Sequence, residues 1–376
     1  MRSVQITDDN KDHCGVTSFD IYSYEGSDIG PSSIGYQGYI KKKRLTILVS
    51  IFILLIAIIL AACIGPIHIP ISEVMVDIFT LNTSGNGRII WNIRMVRIFA
   101  AIFAGAGLAI SGTVMQCILR NPLASPYTLG LSNAAAFGAS FAIIFAGAGT
   151  GFSSIISITN PYVTVTCAFI ASMIATSLIL ILTKVTHVSA ETMVLAGVAI
   201  SAIFSAGLSF MQYIATDSQL GNIITWMFGD LGKSTWEWNS IILVVLVPIT
   251  MYFFYKRWDY NAMEAGEESA KGLGIHTERE RVIGLVLASI LCATIVSFFG
   301  IIAFIGLLAP HIARMLIGSD HRYLIPLSIV IGAIIIVLSD AAGMCILYPK
   351  VLPVGIITSI LGGPMFIYLL IRRYRR

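Results

Sequence analysis

Three kinds of side chain in this 376-residue chain are capable of chemistry: six histidines, six cysteines and a few acids set inside apolar runs. The histidines stand at positions 13, 68, 187, 276, 311 and 321, and no two have the helical spacing that places a pair of metal ligands on one face. Cys63, Cys117, Cys167, Cys292 and Cys345 lie in or beside apolar runs, and Cys14 lies in a polar stretch. No CxxC pair and no Cys/His cluster occurs along the chain, so neither a zinc site nor a disulfide framework is expected. Leu60-Ala61-Ala62-Cys63 resembles a lipoprotein processing box, but its leader would be 62 residues long and further spans follow. Cys63 therefore reads as the end of a span. Gly229-Asp230-Leu231-Gly232-Lys233-Ser234 ends like a phosphate loop, yet Met227 stands where the first glycine belongs and no strand precedes it. No catalytic residue, cofactor or metal is expected.

An ion-coupled transporter needs ionisable groups at membrane depth to hold its proton or cation. Here the apolar runs are nearly free of them. Glu191 follows a capping Ser189, where a helix dipole favours a carboxylate. Asp340 is the one acid placed to be buried, and it reads as an interhelical hydrogen-bonding partner. His311, directly after Pro310, reads as a structural hydrogen bond at a proline-disrupted helix.

The elements that carry these residues are fixed by composition. The chain is 56% hydrophobic and only 12% charged, with mean hydropathy +0.85. A soluble domain is about 25% charged. This balance excludes a secreted disulfide scaffold, a nucleic-acid binder and an ordinary cytosolic enzyme. Apolar runs predict ten membrane-spanning helices near 45–64, 97–118, 128–147, 162–183, 192–214, 239–255, 282–299, 301–317, 324–345 and 354–371. A single helix over 282–317 would be about 54 Å long against a hydrocarbon core of about 30 Å, so it must fold back near Phe298-Phe299-Gly300. Residues 1–40 are polar, carry six acids and read as a disordered cytoplasmic tail ahead of a permease domain over 41–376. With the N-terminus inside, only Arg88, Arg94, Arg97, Lys233 and Lys350 of the 24 Lys and Arg residues fall outside. That asymmetry obeys the positive-inside rule and places both termini in the cytoplasm.

Two small-residue stripes, Ala101/Gly105/Ala109 and Gly197/Ser201/Ser205, predict close helix packing. Two inner loops look more than connective. Arg120-Asn121-Pro122-Leu123-Ala124-Ser125-Pro126 is stiffened by two prolines. The segment 258–281 suits two short helices broken at Gly266 and ended by Gly272 and Gly274, with apolar residues among its charges. Such a mixed surface suits a cytosolic partner.

Four blocks in order then resemble the permease subunits of ABC importers for iron–siderophore complexes, haem and cobalamin, from about residue 45 to 372. The first is Arg94-Met95-Val96-Arg97, continuing through Gly105, Ser111-Gly112, Gln116 and Arg120-Asn121-Pro122-Leu123-Ala124 to Leu129-Gly130. The second is the Gly266-Glu267-Glu268 loop ending at Leu273-Gly274. The third is Phe304-Ile305-Gly306-Leu307 with Pro310-His311, Arg314 and Gly318-Ser319-Asp320-His321-Arg322. The last is Leu352-Pro353-Val354-Gly355, Thr358, Gly362-Gly363-Pro364 and Phe366.

The resemblance implies an all-α polytopic fold of the type II importer permease, working as a homodimer with its pathway on the central axis. It implies two cytosolic ATP-binding subunits gripping the second block, where Gly266, Glu267 and Glu268 form the coupling surface closed by Leu273 and Gly274. It also implies a substrate-binding protein docking outside on Arg94 and Arg97. The chain departs from the family pattern at Val96, Asn133, Met344 and Val351, while Lys350 adds an outer charge. The expected function is import of a ferric chelate, with cobalamin or haem as other cargo. An ion-coupled carrier of a small organic solute is the competing class.

Overall fold

The structure, a computed structural model, describes residues 33–65, 69–80, 85–146, 161–185 and 189–374. It is built from α1 (Ser33–Cys63), α2 (Ile71–Thr80), α3 (Asn86–Ile89), a π-helical turn over Ile90–Met95, α4 (Val96–Ile118), α5 (Leu131–Phe145), α6 (Pro161–Val185) and α7 (Ala190–Ile214). There follow α8 (Asp217–Met227), α9 (Trp236–Tyr255), α10 (Arg257–Ala265), α11 (Glu267–Gly272), α12 (Thr277–Phe299), α13 (Ile305–Ile317), α14 (His321–Ile346) and α15 (Val354–Tyr374). No strand occurs among the described residues. Helices satisfy every backbone polar group internally, which lipid demands of a spanning segment.

Seven helices are long and apolar enough to cross a membrane, and Leu131–Phe145, Ile305–Ile317 and Val354–Ile367 are shorter apolar helices. Each falls on one of the ten predicted spans. The fold-back is where the sequence places it: α12 ends at Phe299, and Gly300 takes φ 77°, which a side chain would resist. Most of the tail expectation concerns residues 1–32, which lie outside the described residues. Residues 33–40 are helical, so α1 starts at Ser33 rather than near 45. The second span also starts early, because α3 and the π-helical turn continue unbroken into α4 from Asn86.

α4 is the central post. It packs against α9, α12, α13 and α14, and most of its residues are buried. Small residues make this burial possible. A Cβ on Gly105 would overlap the Gly332 carbonyl of α14, and one on Gly112 would overlap Gly306 of α13. Ala101, Gly105 and Ala109 are all buried, so the first stripe packs as predicted. The second does so only in part: Gly197 sits against Leu129, whereas Ser205 is exposed. Outward, Leu48, Phe52, Ile203, Phe210, Val244 and Met251 expose apolar side chains, as a lipid-facing surface requires.

Candidate functional site

The segment between α9 and α12 holds the densest charge cluster among the described residues. α10 ends where Gly266 adopts φ 140° and ψ 150°, a conformation essentially reserved for glycine, and α11 starts at the next residue. α11 closes through Gly274 at φ 80°. The two short helices broken at Gly266 are therefore present as the sequence implies. Tyr260, Met263 and Ala270 bury the apolar side of the pair, while Glu268 and Leu273 are exposed. Leu273 holds its apolar side chain 73% in the open.

Glu267 ties this loop to the transmembrane helices. Its carboxylate accepts from Arg281 Nη2 at 2.6 Å, lies 3.1 Å from Lys271 Nζ and 3.9 Å from Arg120 Nη1. The Arg281 hydrogen bond is the main reason its carboxyl is pulled down to about 2. Arg281 itself is buried on α12 and also donates to the Ile118 carbonyl at the end of α4 at 3.1 Å. Lys256, at the start of α10, bridges Asp259 at 2.8 Å and Glu280 of α12 at 2.7 Å. Asn261 of α10 donates to Asp320 at 3.0 Å and accepts from the His321 backbone N–H at 2.7 Å. The loop is thus fastened to the ends of α4, α12 and α14.

The first and third sequence blocks meet beside it. Gln116 Nε2 donates to the Gly306 carbonyl at 3.3 Å, and its Oε1 accepts from Arg314 Nη1 at 3.3 Å. Asn121 turns the chain by accepting from the Leu123 N–H at 3.0 Å, which presents Pro122. Gln116, Arg120, Pro122, Glu264, Gly266 and Arg314 line a cavity of about 290 Å³. Pro310 is buried inside α13 and His311 beside it is half-buried. Pro353 leads into α15, where Gly355 abuts the Phe228 and Ile301 carbonyls and Pro364 lies exposed within the helix. These last residues position helices; they do not join the loop cluster.

The opposite end of the bundle is arranged differently from expectation. Arg94 and Arg97 do not share an exposed face. Arg94 is buried and donates to the Ala62 carbonyl at the end of α1. Arg97 makes a two-pronged contact with Asp340 of α14 at 2.6 and 2.8 Å, with 13% and 5% of the two side chains exposed. The physical reason is local: a carboxylate buried on α14 demands a cation, and α4 runs beside it. Lys350, Lys233 and Arg88 are the exposed cations there. Gly229-Ser234, the phosphate-loop look-alike, is a turn between α8 and α9 whose Asp230 N–H donates to the Phe299 carbonyl at 2.8 Å.

A family model described as the FecCD transport family matches residues 53–372. The chain belongs to that family. A permease protein of an ABC transporter from Methanocaldococcus jannaschii is 48% identical over 91% of this chain and 98% of its own length. The hemin transport system permease of Yersinia pestis is 35% identical over 78% of this chain and 86% of its own. A solved metal-chelate type ABC transporter in an inward-facing conformation superposes with TM-score 0.74, at 28% identity over 88% of this chain and 99% of that one. As a FecCD member the chain is a multi-pass membrane permease of the ABC importer kind, with the type II importer permease fold. Arg281, Asn261, Glu264, Lys256 and Glu280 belong to its loop cluster yet escaped the sequence reading. Arg281 carried one signal, a charge set where α12 turns apolar.

Proposed function

We propose that this chain is the membrane subunit through which an ATP-driven importer takes up a ferric chelate. The permease works as a homodimer. Two ATP-binding subunits, separate chains that hydrolyse the nucleotide, grip the α10–α11 loop through Glu268, Leu273 and Gly274. The observation that carries this reading is the loop itself: it is broken at Gly266, exposes Leu273 and is fastened by Glu267 to α12 and by Asn261 to the start of α14. A push on such a loop reaches the bundle. The hemin permease and the metal-chelate transporter among its relatives support chelated iron as the cargo class.

The competing ion-coupled reading loses its best group. Asp340 is held by both prongs of Arg97, which leaves no free carboxylate in α14 to carry a proton or cation. At that end a substrate-binding protein docks on the exposed Lys350, Lys233 and Arg88, while Arg94 and Arg97 fasten the helices beneath. Both termini lie in the cytoplasm.

Cysteine accessibility in right-side-out membrane vesicles tests topology and partners together. Single cysteines at Ser234 and Lys350 react with an impermeant reagent, and adding the binding protein shields Lys350. One at Glu268 stays unreactive until the vesicles are opened, and then ATP-binding subunits shield it. Labelling of position 268 in sealed vesicles contradicts the arrangement.

A further inference from the structure

Three side chains from distant segments converge where α10 meets the transmembrane helices. One ligand atom each from Cys117, in the last turn of α4, Glu264 of α10 and His321, the first residue of α14, lie within 4.8 Å of one another. We propose that Cys117, Glu264 and His321 form a binding site for a divalent transition-metal ion of the zinc class.

The imidazole is the decisive member. His321 is fully buried, and its Nε2 has no hydrogen-bond partner. Its Nδ1 lies 3.1 Å from Asn261 Oδ1, an amide oxygen that only accepts. Nδ1 therefore carries the proton and donates, which leaves the Nε2 lone pair free. A metal-ligating histidine is characteristically held in this way, with its second ring N–H donated to an outer oxygen that fixes tautomer and ring plane. Asn261 is fixed in turn by donating to Asp320 Oδ1 at 3.0 Å.

The other two ligands supply charge and softness. Cys117 is fully buried, and its thiol donates to the Tyr260 carbonyl at 3.4 Å. Binding the ion replaces that S–H with a metal–sulfur bond and releases one proton to solvent, with no change in oxidation state. Thiolate and carboxylate together then balance the dication, which the neighbouring Arg120 and Arg314 would otherwise repel. A tetrahedral ion with bonds of about 2.0–2.3 Å brings its ligands to roughly 3.5 Å apart. Glu264, exposed on the short helix, is the member able to move in. Of the three ligands, Glu264 alone lines the cavity of about 290 Å³, so an ion would enter from its side. A thiolate–imidazole pair selects zinc-like ions over magnesium or calcium. The linear sequence hides this site, because no two of its ligands are close along the chain.

Cobalt(II) is the direct probe, since it reports a bound thiolate by a sulfur-to-metal charge-transfer absorption. The purified full chain in detergent should show that absorption on titration with Co²⁺ and lose it when Zn²⁺ is added. Cys117→Ser should abolish the absorption. Glu264→Gln, at an exposed position, should weaken Zn²⁺ binding by about tenfold or more, as loss of a ligand or its support commonly does. Cobalt bound with no thiolate absorption, or an absorption that survives Cys117→Ser, overturns the site.

Discussion

Gly266→Trp will reduce ATP-driven uptake by more than tenfold while leaving the protein in the membrane. Two effects act at one position. The backbone there has φ 140° and ψ 150°, so any side chain costs roughly 1–3 kcal/mol of strain or forces the joint to a new angle. The indole ring then stands between α10 and α11, on the surface proposed to receive the ATP-binding subunit. Gly266→Ala separates the two. An added Cβ meets only Ser269, at 3.5 Å, so alanine tests conformation without crowding. It should lower uptake by less than tryptophan does. The check is chelate uptake alongside ATP hydrolysis in the assembled complex: hydrolysis should persist while uptake falls. Wild-type uptake by Gly266→Trp reduces the loop to a linker.

Asp340→Ala should be the most destabilising single change at the opposite end of the bundle. It leaves the Arg97 guanidinium buried without its carboxylate, a loss of about 3–5 kcal/mol for such pairs. Thermal unfolding in detergent should show a clear drop. The double variant Arg97→Met/Asp340→Leu removes both charges and should recover most of the stability, because the pair's attraction largely offsets its own desolvation. If Asp340→Ala unfolds like the wild type, the pair is open to water and Arg97 returns to the docking face.

What could be read from the sequence follows from the range of the forces involved. The positions of the ten apolar helices, seven of them long enough to cross a membrane, and the break at Gly266 are local matters of hydropathy and of one residue's backbone freedom, and both stand in the structure. So does the Ser189 cap, whose hydroxyl accepts from the Thr192 N–H at 3.1 Å. α2 and α8 were not foreseen, since helices of 10 and 11 residues are too short for a span and leave no such signature. The Arg97–Asp340 pair joins residues 243 apart, and Arg281 meets Glu267 across the turn into α12. Only packing brings them together. Arg94 and Arg97 show the cost of reading spacing alone: three apart on an ideal helix they share a face, but a buried acid claims one and the end of α1 the other.

In the proposed role, this chain passes a ferric chelate only under the drive of a separate ATPase. The direct measurement is ⁵⁵Fe-labelled chelate uptake into proteoliposomes holding the permease with its ATP-binding subunits, the binding protein supplied outside and ATP inside. Uptake should require all three components and stop when ATP is replaced by a non-hydrolysable analogue. Uptake by the permease alone under an imposed proton gradient, unaffected by ATP, would make the chain an ion-coupled carrier instead.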